Sequence, residues 1–502
     1  MAQPKLFLFC IGGTGARVLK ALAFLLAAGT DIQASKIIPI IIDPDRDNGD
    51  VNRTIEILSK YQAVRSKLEF QKNSFFRTDI QTLGSLQAIS GGDTSAVTAA
   101  QGFKFSIDGA REGSFRDFLA YDQLDPLNKA LVGALYSDKN LNAELKVGFK
   151  GNPHMGSVVL NQFKNANDFK YFASRFDKDD RIFVVSSIFG GTGAAGFPLL
   201  VKNIREAANN IPNHDNLKES AMGAITVLPY FGVSPDANSS IDKGTFAAKT
   251  KAALSYYERN LTGENNKSLN ALYYIADSVT NDFKASDGAD TQRNNAHYVE
   301  MLAALSVIDF MDIPADKLKT SGGQAENPVY KEYGLINADN VMNFKNLGKR
   351  SRDRVLKPLT QFAYACKYWN EHLDRAIDKI AAFRIDYNRA FLSNDFFDTD
   401  LTQFSRRYFE WLNEMKNNIR SFTPFNLDVS GENLHNLVNG IEQTRTGAIF
   451  KSAEWNYNDY NDKLNEVDMR MVQMDPNAKF MALFSQATAA IYEWKLAKQI
   501  SL

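Results

Sequence analysis

Ser187-Ile188-Phe189-Gly190-Gly191-Thr192-Gly193-Ala194-Ala195-Gly196-Phe197-Pro198 decides how this chain is read. The apolar run Ile182 to Val185 leads into it, and an amphipathic segment, Leu199 to Ala207, follows. The order is strand, glycine turn, helix. Glycines let backbone N–H groups approach an anion closely, and the start of a helix adds partial positive charge. A phosphate is the natural occupant of such a turn.

Three more turns of related character precede it. Phe9-Cys10-Ile11-Gly12-Gly13-Thr14-Gly15-Ala16-Arg17-Val18 follows an apolar strand and opens an alanine- and leucine-rich helix. It resembles a dinucleotide fingerprint, but the third glycine falls at Val18; alone, a tight turn without ligand fits as well. A second strand, residues 37–42, ends in Asp43-Pro44-Asp45. Carboxylates at the carboxyl end of a parallel strand lie on the ligand edge of such a sheet. Asp43 and Asp45 suit a magnesium ion held through its waters, or a ribose hydroxyl; a solvated acidic turn is the plain alternative. Gly148-Phe149-Lys150-Gly151-Asn152-Pro153-His154-Met155-Gly156 is a glycine-flanked Asn-Pro turn that can offer N–H groups and an amide to a terminal phosphate.

The wider chain fits a folded nucleotide-binding protein. At 502 residues it has room for more than one domain. With 44% hydrophobic and 23% charged residues it has the balance of a soluble globular protein. The 58 basic and 58 acidic residues cancel, which points away from a nucleic-acid or anionic-membrane partner. The sequence holds no run of apolar residues long enough for a transmembrane span. The apolar start, residues 5–11, passes at once into a glycine turn and reads as a first strand, not a signal peptide. Cys10 and Cys366 read as buried thiols in a reducing cytoplasm. Strands are expected again at 182–187, 223–228 and 271–276, alternating with helices, which gives an α/β fold with a Rossmann-like parallel sheet. Residues 85–150 read as surface insertions. A helix from about Asn294 to Phe310 is apolar nearly all round and reads as buried.

Taken together, the turns carry a resemblance: the chain is similar to the tubulin/FtsZ GTPase superfamily, as a divergent bacterial-type member. Gly12, Gly13, Thr14 and Gly15 match that family's first loop, and Asp43 and Asp45 its acidic loop. Gly151, Asn152, Pro153 and Gly156 match the third loop; Gly190, Gly191, Thr192, Gly193 and Ala194 match the fourth. Thr226 to Tyr230, with Pro229, resembles the ribose-side strand end. Leu272 to Asp277 resembles the strand whose end meets the sugar and base. Arg293-Asn294-Asn295-Ala296-His297-Tyr298 resembles the start of the central helix, where an amide reads guanine and an aromatic stacks on it. The resemblance implies GTP/GDP and Mg2+ as ligands, with Asn294, then Asn295, on the base and Tyr298 either stacking or buried. Phe189 and Ala195 depart from the family's glycines, and the Ala195 methyl group is expected to push the backbone away from the phosphates.

The family hydrolyses GTP between subunits, using acids on a loop after the central helix, so a head-to-tail homo-oligomer or filament is implied. That loop is not legible here. Gly334 to Asn340, with Asp339, resembles its start; Asp312 and Asp316 lie nearer the expected position. The domain reading is 1–312 for GTP binding, 313–350 as linker and possible catalytic loop, and 351–502 as a mostly helical carboxyl-terminal domain. There, Leu356, Leu359, Phe362, Cys366, Trp369 and Leu373 recur at helical spacing, as do Phe480, Leu483, Phe484, Ala487, Ile491 and Trp494. Both stripes fit core packing, and the second also fits docking on a partner protein. Two rival functions stay open. One is a non-polymerising GTP-dependent scaffold or switch in a bacterial multiprotein or defence assembly. The other is a nicotinamide- or flavin-dependent oxidoreductase.

Overall fold

The computed structural model describes residues 3–45, 47–69, 74–86, 102–106, 113–149, 152–233, 243–279, 282–283, 293–332, 339–383, 386–440, 454–469 and 474–497. Six parallel strands form one sheet: β1 (Lys5–Ile11), β2 (Lys36–Ile42), β3 (Arg181–Ser187), β4 (Ala221–Val227), β5 (Ala271–Ile275) and β6 (Val329–Glu332). Their spatial order is β2-β1-β3-β4-β5-β6. Residues 6–11 of β1 and all of β3 are buried, which is why these strands read as unbroken apolar runs. Beyond β2, parallel bridges from Ile37 to Ile80 and from Ile41 to Lys104 bring further backbone to its free side.

The chain leaves β1 towards β2 and returns past it to β3. The winding therefore reverses between β1 and β3, and in sheets of this kind the ligand crevice opens at the carboxyl ends flanking that switch point. The helices that matter here are α1 (Gly12–Ala27), α2 (Gly49–Ser66), α3 (Pro153–Leu160), α4 (Gly191–Arg205), α5 (Tyr298–Met311), α6 (Lys349–Glu371), α7 (Thr402–Lys416), α8 (Tyr457–Glu466) and α9 (Pro476–Ile491). Every residue of α1 and of α5 is buried. The central helix is thus enclosed, as its all-round apolar surface requires. It starts later than the apolar pattern suggests, because His297 and Glu300 form a capping box that fixes its first turn.

Val329–Glu332, inside the stretch 313–350 read as linker and possible catalytic loop, forms the edge strand β6. Its residues alternate half-buried and exposed, so it lacks the apolar signature of the inner strands. The carboxyl-terminal region is helical and is sealed onto the sheet unit by aromatic side chains. Phe24 of α1 stacks on Trp411 of α7 at 5.1 Å, and Phe76 meets Phe404 at 4.9 Å and Phe362 at 5.8 Å. Pairs like these each add about 0.5–1.5 kcal/mol beyond their buried area. Both helical stripes face this core, except that Trp494 stands 46% exposed with Lys463 and Lys495 over its ring. Phe480, Leu483, Phe484, Ala487 and Ile491 are buried within the chain itself and present nothing to a partner. Cys10 and Cys366 are both free and buried. No helix among the described residues is long and apolar enough to cross a membrane.

Candidate functional site

The carboxyl ends of β1 and β3 each run straight into a glycine turn that starts a helix. At Gly15 a side chain is excluded by sterics: a Cβ there would lie 2.7 Å from the Cys10 carbonyl carbon. At Gly193 it would lie 2.5 Å from the Ser187 carbonyl oxygen. Only glycine lets these helices begin so close to the strand ends. Gly12 has φ of 72°, in the left-handed region. A Cβ on Gly12 would sit 3.6 Å from the Thr192 Cβ and 3.8 Å from the Gly193 nitrogen, so the two turns abut.

The Asn-Pro turn joins them. Asn152 is the N-cap of α3, and a Cβ on Gly156 would lie 2.8 Å from the Ala195 Cβ and 3.2 Å from the Gly191 carbonyl oxygen. The Ala195 methyl group is therefore accommodated by the missing side chain at Gly156. It is 1% exposed and turned towards α3. Gly148, with φ of 80°, lies against Asp45. Gly151 lies outside the described residues. Helices α1, α3 and α4 all lack a side-chain cap at their amino termini. Three uncapped helix starts thus lie close together at the carboxyl edge of the sheet, and uncapped helix starts are suited to an anion. Gly190, Thr192, Ala194, Asn152 and Pro153 remain partly exposed there, while Gly13 and Thr14 are buried.

Asp43 and Asp45 are buried on the same edge. Asp43 Oδ1 accepts from the Asp45 N–H and Oδ2 from the Asn48 amide, and Lys104 donates to the Asp45 carbonyl at 2.6 Å. Burial pushes the Asp43 carboxyl up to about 7, against the lowering influence of the Asp45 N–H and Lys104. Phe189 packs on Phe231 and Tyr230, and so ties the fourth turn to the segment after Pro229, which is partly exposed.

The base-side residues form a second cluster. Asp277, just beyond β5, is ion-paired to Arg420 at 2.9 Å, and Arg420 also donates to the Tyr298 hydroxyl. Tyr298 is 2% exposed and lies against the His297 ring. Burial pushes His297 down to about 4, so it is neutral at pH 7, with Nδ1 accepting from the Val299 N–H. Asn294 is half-buried: its N–H donates to Asp50, and its carbonyl accepts from Arg53. Asn295 is exposed.

A buried ionic network, not expected from the sequence, joins the two clusters. Arg17 donates to Glu300 and Asp50 at 2.6 Å each, to the Tyr230 hydroxyl at 2.8 Å and to Thr14 Oγ1 at 3.3 Å. Burial alone would lower its pKa; Tyr230, Glu300 and Asp50 outweigh burial and hold it well above the ordinary value. Arg53 bridges Asp50 to Glu414 of α7, which also accepts from Lys20 and the Ala296 N–H. Arg17, Arg53 and Lys20 thus balance Asp50, Glu300 and Glu414. A lone arginine in the apolar start of α1 and a lone glutamate early in α5 are the signals the sequence offers.

The three candidate acids fall at opposite edges. Helix α5 crosses from the carboxyl edge of the sheet to the amino edge, where Arg181 of β3 donates to the Phe310 and Met311 carbonyls. Asp312 and Asp316 follow directly, at that amino edge; Asp312 is ion-paired to Arg354, and Asp316 is exposed. Asp339 is exposed and accepts from the Asn346 amide. The next residue, Asn340, accepts from the Ser421 N–H, one position from Arg420 and its partner Asp277. Asp339 therefore lies at the glycine-turn edge. Residues 334–338 of that stretch lie outside the described residues.

No family model matches this chain, and no curated protein matches it. Among solved structures it is similar to CetZ2 from Haloferax volcanii, described as a GTPγS-bound protofilament. The identity is 10%, over 62% of this chain and 60% of that one, with a TM-score of 0.29.

Proposed function

We propose that this chain binds GTP and GDP with Mg2+ at the carboxyl edge of its sheet, as a tubulin/FtsZ-like protein, and assembles head to tail into filaments. The observation that carries the reading is the proximity of four sequence-distant turns, at 12–15, 43–45, 148–149 with 152–156, and 190–195, with three uncapped helix starts among them. A triphosphate offers several anionic groups to such a cradle; a dinucleotide pyrophosphate uses one glycine turn and leaves the others idle. Among the described residues no cluster of three or more His, Cys, Asp or Glu side chains is arranged to hold a metal ion. Mg2+ here would take one or both of Asp43 and Asp45, directly or through water, and complete its shell from phosphate and water, in keeping with its reluctance to dehydrate.

Head-to-tail stacking sets the amino edge of one subunit over the nucleotide of the next. An acid that completes hydrolysis then comes from Asp312 or Asp316 and not from Asp339. Asp316 is the better candidate, because Asp312 is held by Arg354. Its carboxylate would orient the attacking water over the bound nucleotide. The test is GTP turnover against protein concentration, alongside electron microscopy. Turnover per subunit that climbs with concentration, filaments with GTP and a loss of turnover in Asp316→Asn support the reading. A flat rate or a persistent monomer supports a non-polymerising switch instead.

A further inference from the structure

We propose, resting on the GTP reading with Asn294 on the base, that base selection is set from the carboxyl-terminal helical region. Glu414 and Asn418, together with Asp50 and Arg53 of α2, are positioning residues for the segment 294–296.

Residues 294–296 precede α5 and belong to neither helix nor strand. Side chains hold their backbone instead. The Asn294 N–H donates to Asp50 Oδ1 at 3.2 Å, and Arg53 donates to the Asn294 carbonyl at 2.7 Å. The Ala296 N–H donates to Glu414 at 2.9 Å, and Asn418 donates to the Ala296 carbonyl at 2.8 Å. Asp50, Arg53 and Glu414 are ionisable, and charge-assisted bonds are about twice as strong as neutral ones. Arg53 also joins Asp50 to Glu414, so the two halves of the clamp hold each other.

Arg420 extends the same stretch to Asp277 and the Tyr298 hydroxyl. Residues 414–420 therefore touch the segment before α5, the first residue of α5 and the residue beyond β5, which are the parts of the base side. The Asn294 side-chain amide has no hydrogen-bond partner among the described residues, which leaves its donor and acceptor to a ligand. An amide separates one base edge from another only when held within about 0.5 Å of its productive place. The glycine turns at 12–15 and 190–193 are fixed by their own close contacts and do not depend on the clamp. Loosening the clamp should cost base discrimination and spare the phosphates.

The test is calorimetric titration of the full chain with GTP, ATP and inorganic triphosphate, each in magnesium. The wild-type chain should prefer GTP to ATP, and Asn294→Ala should lose that preference. Arg53→Met and Asn418→Leu should each lower the ratio of GTP to ATP affinity about tenfold, with inorganic triphosphate bound as in the wild type. Arg53→Lys, which keeps the charge and a donor, should restore most of the ratio. Phe404→Leu, on α7 but within the aromatic packing, should leave it intact. If Asn294→Ala loses the preference while Arg53→Met and Asn418→Leu keep it, the positioning role is overturned and the GTP reading stands. Equal weakening of all three ligands in the clamp variants would also overturn it, reducing the clamp to structural support. A wild-type chain that binds no GTP, or an Asn294→Ala variant that keeps the preference, would overturn the base reading and the clamp together.

Discussion

At the glycine-turn edge the chain is built from the smallest residue, and on its helical side from the largest. Gly15, Gly156 and Gly193 stand where a single methyl group would strike a neighbour, while Phe362, Phe404, Tyr408, Trp411 and Phe480 interlock across α6, α7 and α9. The first region places backbone N–H groups around a crevice; the second fills volume and holds the sheet unit against the helices. Between them lies the Arg17 network, which touches Thr14 through Arg17 and α7 through Glu414. The contrast teaches that the crevice is defined by backbone and braced by buried charge, with aromatic packing behind it.

The sharpest way to break this contrast is to add one methyl group at the edge. Gly193→Ala forces the helix start off the Ser187 carbonyl. It should destabilise the fold by about 4 kcal/mol or more. Gly133→Ala, in the helix Pro126–Leu135 with no atom within 4 Å of the new carbon, should instead stabilise by up to about 1 kcal/mol. Urea denaturation of the two variants compares them directly.

Next in size is the brace. Arg17→Met leaves Asp50 and Glu300 buried without their counter-ion and should cost about 3–5 kcal/mol. Arg407→Ala, which removes a partly exposed pair with Glu56, should cost at most about 1 kcal/mol. Equal losses would show that the network is ornamental to stability.

Asp43 gives a pH signature peculiar to the edge. Its carboxyl is raised in the folded chain from 3.8 to about 7, so between those values the folded protein keeps a proton that the unfolded chain has released. Its contribution to stability is therefore most favourable below pH 3.8. It declines as pH rises towards about 7 and is flat above. Asp43→Asn should remove this decline, whose slope inside the window is about 1.4 kcal/mol per pH step of one. It should also weaken nucleotide binding in magnesium. Denaturation midpoints of both proteins at about pH 5, inside the window, and about pH 8, above it, decide the matter.

The smallest effect is on the helical side. Phe404→Leu keeps an apolar side chain but loses edge contacts with Phe24 and Phe76. It should cost about 1.5 kcal/mol and leave nucleotide binding untouched. A change in GTP affinity would mean that the two regions are not separable.

The edge is largely legible in the sequence because each of its parts is local. An apolar strand, a glycine pair and a helix start occupy neighbouring residues, and β1, β2 and β3 all run close to their expected bounds. What the sequence hides has its partners far away. Arg17 is joined to Glu300 across 283 positions, and Arg53 to Glu414 across 361. No local pattern announces such pairs. The start of α5 is displaced because His297 and Glu300 cap each other, so Asn294 and Asn295 precede the helix. Strand β6 is hidden because an edge strand with alternate exposed residues resembles a polar loop. Ala195 reads as an obstacle in the sequence because its compensating glycine, Gly156, lies on another turn.

The central claim is that the four turns enclose one triphosphate. Equilibrium titration of the full chain with GTP in magnesium, with ATP and NAD as competitors, tests it most directly. The account predicts one GTP bound per chain, displaced by GDP and not by NAD, with binding reduced at least about tenfold in Asp43→Asn. No binding of GTP, or displacement by NAD at comparable concentration, would contradict it.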